Sequence, residues 1–136
     1  MADDPAAIEA VIDAFYRLLS GSAEEVRDWC ALRRLFCEGA CVLPISRTAS
    51  SRALGVDAYV EHLRTALDGR SFYERGLDYR IEVHGSIAEV RSRYEAADGP
   101  DRDRMIKSGT NLVQLVRWGS AWRIFSMLYE DDVRSD

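Results

Sequence analysis

Tyr16, Trp29, Tyr59, Tyr79, Asn111, Met127 and Tyr129 are the side chains of this sequence best suited to line a pocket for a small molecule. Most combine a large apolar body with a polar tip, which suits a mostly apolar cavity with a few hydrogen-bonding groups. The competing reading is plain core packing, since aromatics at helical or strand spacing usually serve that end. Asn111 stands apart because it interrupts an apolar strand, and a buried amide must find partners or pay for its desolvation.

Other chemistry is sparse. The histidines are His62 and His84; His84 sits beside a glycine in a turn, and His62 lies off the apolar stripe of its helix, so both read as solvated or flanking groups. Cys30, Cys37 and Cys41 lack the two-residue gap of zinc and redox motifs and are expected to be buried free thiols. No metal and no cofactor is expected. Arg91 and Arg93 alternate with Glu89 and Glu95 as a solvated ladder of opposite charges, with a dimer contact or an anion site as the alternative. Asp101 to Arg104 reads as a solvated loop.

These residues must be held by the elements that the hydrophobic pattern predicts. Ile8, Val11, Ile12, Phe15 and Leu19 mark one face of a first helix that starts at Asp4-Pro5 and ends at Gly21. A second helix is expected from about Ser22, carrying Val26, Trp29, Leu32, Arg33 and Phe36 and ending at Gly39. Cys41 to Ile45 is a short strand interrupted by Pro44, and Ser46 to Ser51 reads as a loop. Val56, Tyr59, Val60, Leu63 and Leu67 predict a third helix, with Gly69 as its terminator.

From there the period falls to two. Leu77, Tyr79, Ile81 and Val83 alternate with Asp78, Arg80 and Glu82, His84-Gly85 makes a hairpin, and Ala88 to Tyr94 alternates again. The last two strands, over Gly109 to Tyr129, join at Gly119-Ser120 and carry apolar residues at both odd and even positions. One face should therefore pack on the helices and the other on something else. Strands that follow helices, rather than alternating with them, predict an α+β domain spanning 1–136 with helices on one face of a curved antiparallel sheet.

Composition narrows the function classes. The chain has 136 residues, of which 47% are hydrophobic and 30% charged, enough to bury a sizeable core without metal or disulfide. A net charge of -5, with a single lysine at Lys107, argues against nucleic acid as a partner. No apolar run approaches a membrane span, and the acidic start Met-Ala-Asp-Asp-Pro is the reverse of a secretory signal, so a cytoplasmic location is expected.

Leu32-Arg-Arg-Leu-Phe-Cys-Glu-Gly-Ala-Cys-Val-Leu43, Gly55-Val-Asp-Ala-Tyr-Val60 and Trp122-Arg-Ile-Phe-Ser126 together resemble the nuclear transport factor 2-like superfamily, in particular its SnoaL-like members. The resemblance implies a cone-shaped sheet of the cystatin-like kind, wrapped around three N-terminal helices and a pocket, and a homodimer formed through the outer sheet face. Leu112, Gln114 and Val116 would lie on that face. Matched to the ketosteroid isomerases of the superfamily, the base position falls on Pro44, the tyrosine position on Phe15 beside Tyr16, and the acid position on Asn111. That leaves hydrogen-bond donors without a base. The implied function is binding of an apolar or aromatic small molecule, with any reaction isomerase- or lyase-like and free of cofactor. The alternative is a non-catalytic association module similar to the small subunit of ring-hydroxylating dioxygenases, which Val42-Leu-Pro-Ile-Ser-Arg47 resembles.

Overall fold

A computed structural model of the chain describes residues 3–46, 48 and 50–133. It begins with α1, Asp4–Leu19, which buries Ile8, Ile12, Phe15, Tyr16 and Leu19 on one side and lies along strand β3, Tyr73–His84. Its first turn is anchored through Asp4, which accepts from the Trp122 indole N–H at 3.1 Å and pairs with Arg117. Burial alone would raise the Asp4 carboxyl, but these donors outweigh it and hold it below its ordinary value.

The second helix departs from expectation. Residues 22–28 run as an irregular segment with Val26 in solvent, and α2 is the short piece Trp29–Arg33, capped by the Asp28 carboxylate accepting from the Ala31 N–H at 2.9 Å. Strand β1 then occupies Phe36–Pro44. The spacing of Trp29, Leu32 and Phe36 matches a helix only by coincidence, because Phe36 already pairs with Ile124 across the sheet. Gly39 is no helix terminator either; at φ +80° it sits where the β1 register shifts between Phe36 and Cys41. Part of the expected 46–51 loop, residues 47 and 49, lies outside the described residues.

After β2, Leu54–Gly55, comes α3, Val56–Leu67, with Tyr59, Val60, Leu63 and Leu67 buried as the periodicity requires. Strands β3, β4 (Ile87–Ala97), β5 (Met105–Trp118) and β6 (Ala121–Asp131) follow as consecutive hairpins. The sheet order is β2-β1-β6-β5-β4-β3; every neighbouring pair is antiparallel except β1 and β6, which run parallel. The result is an α+β fold in which α1 and α3 cover the inner face of a curved sheet. Among the described residues no helix is long and apolar enough to cross a membrane.

Two irregularities decide which side chains face inward. In β3 the pairing shifts between Gly76 and Asp78, leaving Leu77 as an extra residue that is exposed. Tyr79, Ile81 and Val83 pack against the core beyond the bulge, but on its near side the inward positions are Phe72, Glu74 and Gly76. In β6 a shift opposite Gln114 and Leu115 makes Phe125 the extra residue. Trp122 and Ile124 therefore share the inner face with Met127 and Tyr129. Much of the two-sided apolar pattern of that strand is this change of phase.

Arg27 fastens the C-terminal ends of α1 and α3 to each other. It is 5% exposed, yet its guanidinium donates to the carbonyls of Leu19 (2.7 Å), Gly21 (3.1 Å), Leu67 (2.9 Å) and Arg70 (3.0 Å). Leu19 and Leu67 are the last residues of α1 and α3, so the cation meets the negative ends of both helix dipoles. Replacing Arg27 by methionine leaves those carbonyls without their donor and should cost about 3 kcal/mol or more. Chemical denaturation is expected to show that loss, and Arg27→Lys should recover only part of it because an ammonium cannot reproduce the planar fork.

Candidate functional site

A cavity of about 100 Å³ lies inside the cone between α1, α3 and strands β3 to β6. Phe15 and Leu19 from α1, Leu63 and Leu67 from α3, and Phe72 supply its apolar wall. Its polar wall comes from Tyr59 of α3 and from three rows that cross the sheet, one of which joins Glu74 to Lys107 through Ala96. In another row Ser92, Asn111 and Tyr129 are register partners; in the next, Tyr94, Gly109 and Asp131 are. Gly109 is required there, because a Cβ would collide with the Tyr94 hydroxyl and the Glu130 carbonyl.

Asn111 is oriented by a chain of hydrogen bonds behind the cavity. Its amide N–H donates to Tyr16 Oη at 2.8 Å, and Tyr16 pairs with Ser92 Oγ at 2.6 Å. Burial pushes the Tyr16 phenol up to about 12, so it stays neutral and can serve both neighbours. The amide oxygen Oδ1 is left for the cavity, since no residue among those described donates to it.

Of the sequence-selected residues, Tyr59, Asn111 and Tyr129 line this cavity, and Tyr16 stands one hydrogen bond behind it. The others do not reach it. Trp29 is buried with its indole N–H donating to Asp68 at 3.3 Å; Tyr79 stacks on Tyr16 and donates to Asp13 at 2.5 Å near the surface; Met127 packs in the core. Each obeys the local pattern, but the cavity occupies only the end of the cone near Phe72, Lys107 and the second half of α3. His62 reaches its rim while remaining exposed, and His84 is exposed at the hairpin, 3.6 Å from Glu82.

The cysteines differ from the expectation of three buried thiols. Cys37 is a buried free thiol, but Cys30 and Cys41 are free and exposed. Arg93 pairs with Asp132 at 2.7 Å and Glu95 with Arg75 at 2.5 Å, while Arg102 is half-buried, donating to the carbonyls of Tyr73 and Glu95 rather than standing in solvent.

Glu74 is the residue that period-two reasoning misses. Counted from Tyr79, it should face solvent; the Leu77 bulge turns it into the cavity. An isolated glycine inside the strand pattern, Gly76, is the local signal for such a bulge. The Glu74 carboxyl has no hydrogen-bond partner among the described residues. Desolvation pushes it up to about 7, with Asp131 adding to the rise and Lys107 and Arg102 opposing it. A carboxyl poised near neutrality in a largely apolar cavity can take up or release a proton under ordinary conditions.

Lys107 holds the remaining charge. Its ammonium lies 5.9 to 6.0 Å from the ring centroids of Phe72, Tyr94 and Tyr129 and 3.3 Å from an Asp131 oxygen. Asp131 also accepts from the Tyr94 hydroxyl at 2.6 Å. Burial raises the Tyr59, Tyr94 and Tyr129 phenols, which keeps them protonated donors.

No protein-family model and no curated protein matches the chain. Solved structures do. A protein of unknown function with a cystatin-like fold from Nostoc punctiforme aligns with a TM-score of 0.78 at 14% identity, over 97% of this chain and 93% of that one. A nuclear transport factor 2-like protein with a cystatin-like fold from Novosphingobium aromaticivorans aligns equally well, at 0.78 and 16% identity over 98% and 85%. The chain has the nuclear transport factor 2-like, cystatin-like fold. A third structure, from the same Novosphingobium species and provisionally named an aromatic ring hydroxylase, aligns at 0.73 with 14% identity over 98% and 92%. At these identities the likeness is one of fold.

The position of Glu74 predicts an unusual pH dependence. Its folded-state value lies above the ordinary 4.5, so the folded protein keeps a proton that the unfolded chain has released between about pH 4.5 and 7. Stability should fall as pH rises through that window, by on the order of 3 kcal/mol. Glu74→Gln should remove the fall, leaving the variant more stable than the wild type at pH 8 and similar to it below pH 4.5, as read by denaturant melts at the two pH values.

Proposed function

We propose that this protein binds a small organic molecule in the cone cavity, and that any reaction it performs is a cofactor-free proton transfer of the isomerase or lyase kind. The observation that carries this reading is the Glu74 carboxyl, turned into a largely apolar cavity beside Asn111 and with no partner among the described residues. A stability cost of this kind is typical of a functional site, where a titratable group is held ready for a ligand. Glu74 supplies the proton-accepting group that the ketosteroid isomerase-like positions lack, Pro44 being the end of β1. The exposed free thiols of Cys30 and Cys41 suit a reducing, cytoplasmic setting.

The outer face of the sheet supports association. Leu112, Trp118, Phe125 and Leu128 are 44–52% exposed there, amid Arg80, Glu82, Glu89 and Arg91 of mixed sign. A second copy of the chain matches such a surface, apolar at its centre and charged with both signs at its margin. The same face favours the second reading, an association module like a ring-hydroxylating dioxygenase small subunit, and a likeness in fold to the protein provisionally named an aromatic ring hydroxylase is compatible with it.

Two measurements separate these readings. Backbone-amide NMR of the full chain against a panel of small oxygen-containing organic molecules should give saturable shifts around Asn111 and Tyr129, abolished by Asn111→Leu; no binder at millimolar concentration would defeat the ligand reading. Leu112→Arg should convert a dimer to a monomer by light scattering while Asn111→Leu leaves the mass unchanged. A monomeric wild type that co-purifies with a larger subunit would favour the association module instead.

A further inference from the structure

The cavity wall carries more hydrogen-bonding capacity than the protein uses. Tyr59 is 2% exposed and Asn111 4%, yet the Tyr59 hydroxyl and the Asn111 amide oxygen have no partner among the described residues, and neither have the Tyr129 hydroxyl and the Glu74 carboxyl. Buried polar groups are nearly always paired, and the fully buried side-chain atoms without a hydrogen-bond partner among the described residues are Arg102 Nε and Arg123 Nε, so these four groups keep access to the cavity. They converge on one space. The two phenols offer O–H donors, while the Asn111 amide oxygen is an acceptor held in place by the bond from its own N–H to Tyr16.

Charge defines the occupant further. Lys107 is already matched by Asp131 and by the faces of the aromatic rings, so no spare cation waits for an anionic ligand. The rings of Phe72, Tyr94 and Tyr129 already face the lysine, whose charge disfavours a second cation beside it. A volume of about 100 Å³ is smaller than the ~150 Å³ cavity known to accept benzene, which limits the occupant to about four or five heavy atoms.

We propose that the cone is a site for a small, neutral hydroxy-carbonyl compound, its carbonyl oxygen accepting from the Tyr59 and Tyr129 hydroxyls and its own hydroxyl donating to Asn111 Oδ1. This rests on the ligand-binding reading above and adds the chemical class. The apolar side of the ligand lies against Phe15, Leu63 and Phe72.

The test is an NMR titration of the full chain with hydroxypropanone, with propanone as the analogue lacking the hydroxyl, and with xenon as an apolar probe of the same space. The hydroxy ketone should bind at least about tenfold more tightly than propanone, because a site built to pair a hydroxyl discriminates strongly against its absence. Tyr59→Phe and Tyr129→Phe should each weaken the hydroxy ketone by about fivefold, the worth of one hydrogen bond, while leaving xenon binding unchanged. Equal affinity for the two ketones, or no effect of either phenylalanine variant, would overturn the proposal. Xenon binding without hydroxy-ketone binding would refute the chemical class and leave a ligand cavity standing; failure of every probe to bind would refute both.

Discussion

A single buried cation organises this molecule. Arg27 pairs with no carboxylate among the described residues, and its charge is spread over four carbonyls at the ends of α1 and α3 and in the segments beside them. Those ends are the only places where a helix offers unpaired acceptors and negative potential together. Because Gly21 also bridges Phe72, the same fastening sets where β3 begins. Everything that β3 brings to the cavity starts from that point, and the irregular course of residues 22–28 is the geometric cost of delivering a guanidinium there.

The bulges act on the same strands at finer scale. A sheet has a period of two, so one extra residue exchanges its faces. At Leu77 the exchange turns a glutamate inward, and at Phe125 it keeps Trp122, Ile124, Met127 and Tyr129 all on the inner side. The first puts a carboxyl in the cavity wall, and the second keeps the core continuous beneath it.

Charge and solvation then set what the cavity can do. Lys107 is stabilised on aromatic faces and by Asp131, whereas Glu74 is desolvated and without a hydrogen bond, so of the two the carboxyl is the group left free to respond to a ligand. Its neighbours Asn111, Tyr59 and Tyr129 keep polar atoms turned toward the same space. The fold is shared with solved structures at 14–16% identity, but such a likeness does not transmit the side chains that act.

By itself the sequence determined the elements with strong periods: α1, α3, the hairpin strands and their order, and hence the α+β class. The family resemblance pointed to Asn111 as a cone-facing donor, and the structure shows it there, bonded to Tyr16. Periodicity misread residues 22–39 as one helix, where the helix is only Trp29–Arg33, because an apolar spacing of three and four is satisfied equally by a short turn of helix followed by a strand. Glu74 and Arg27 were decided only by tertiary structure. Their neighbours come from distant segments, and whether a strand residue faces the core depends on pairing phase, which the ladder sets and local alternation does not. Burial, and with it the raised carboxyl of Glu74, is a property of the assembled cone rather than of any stretch of chain.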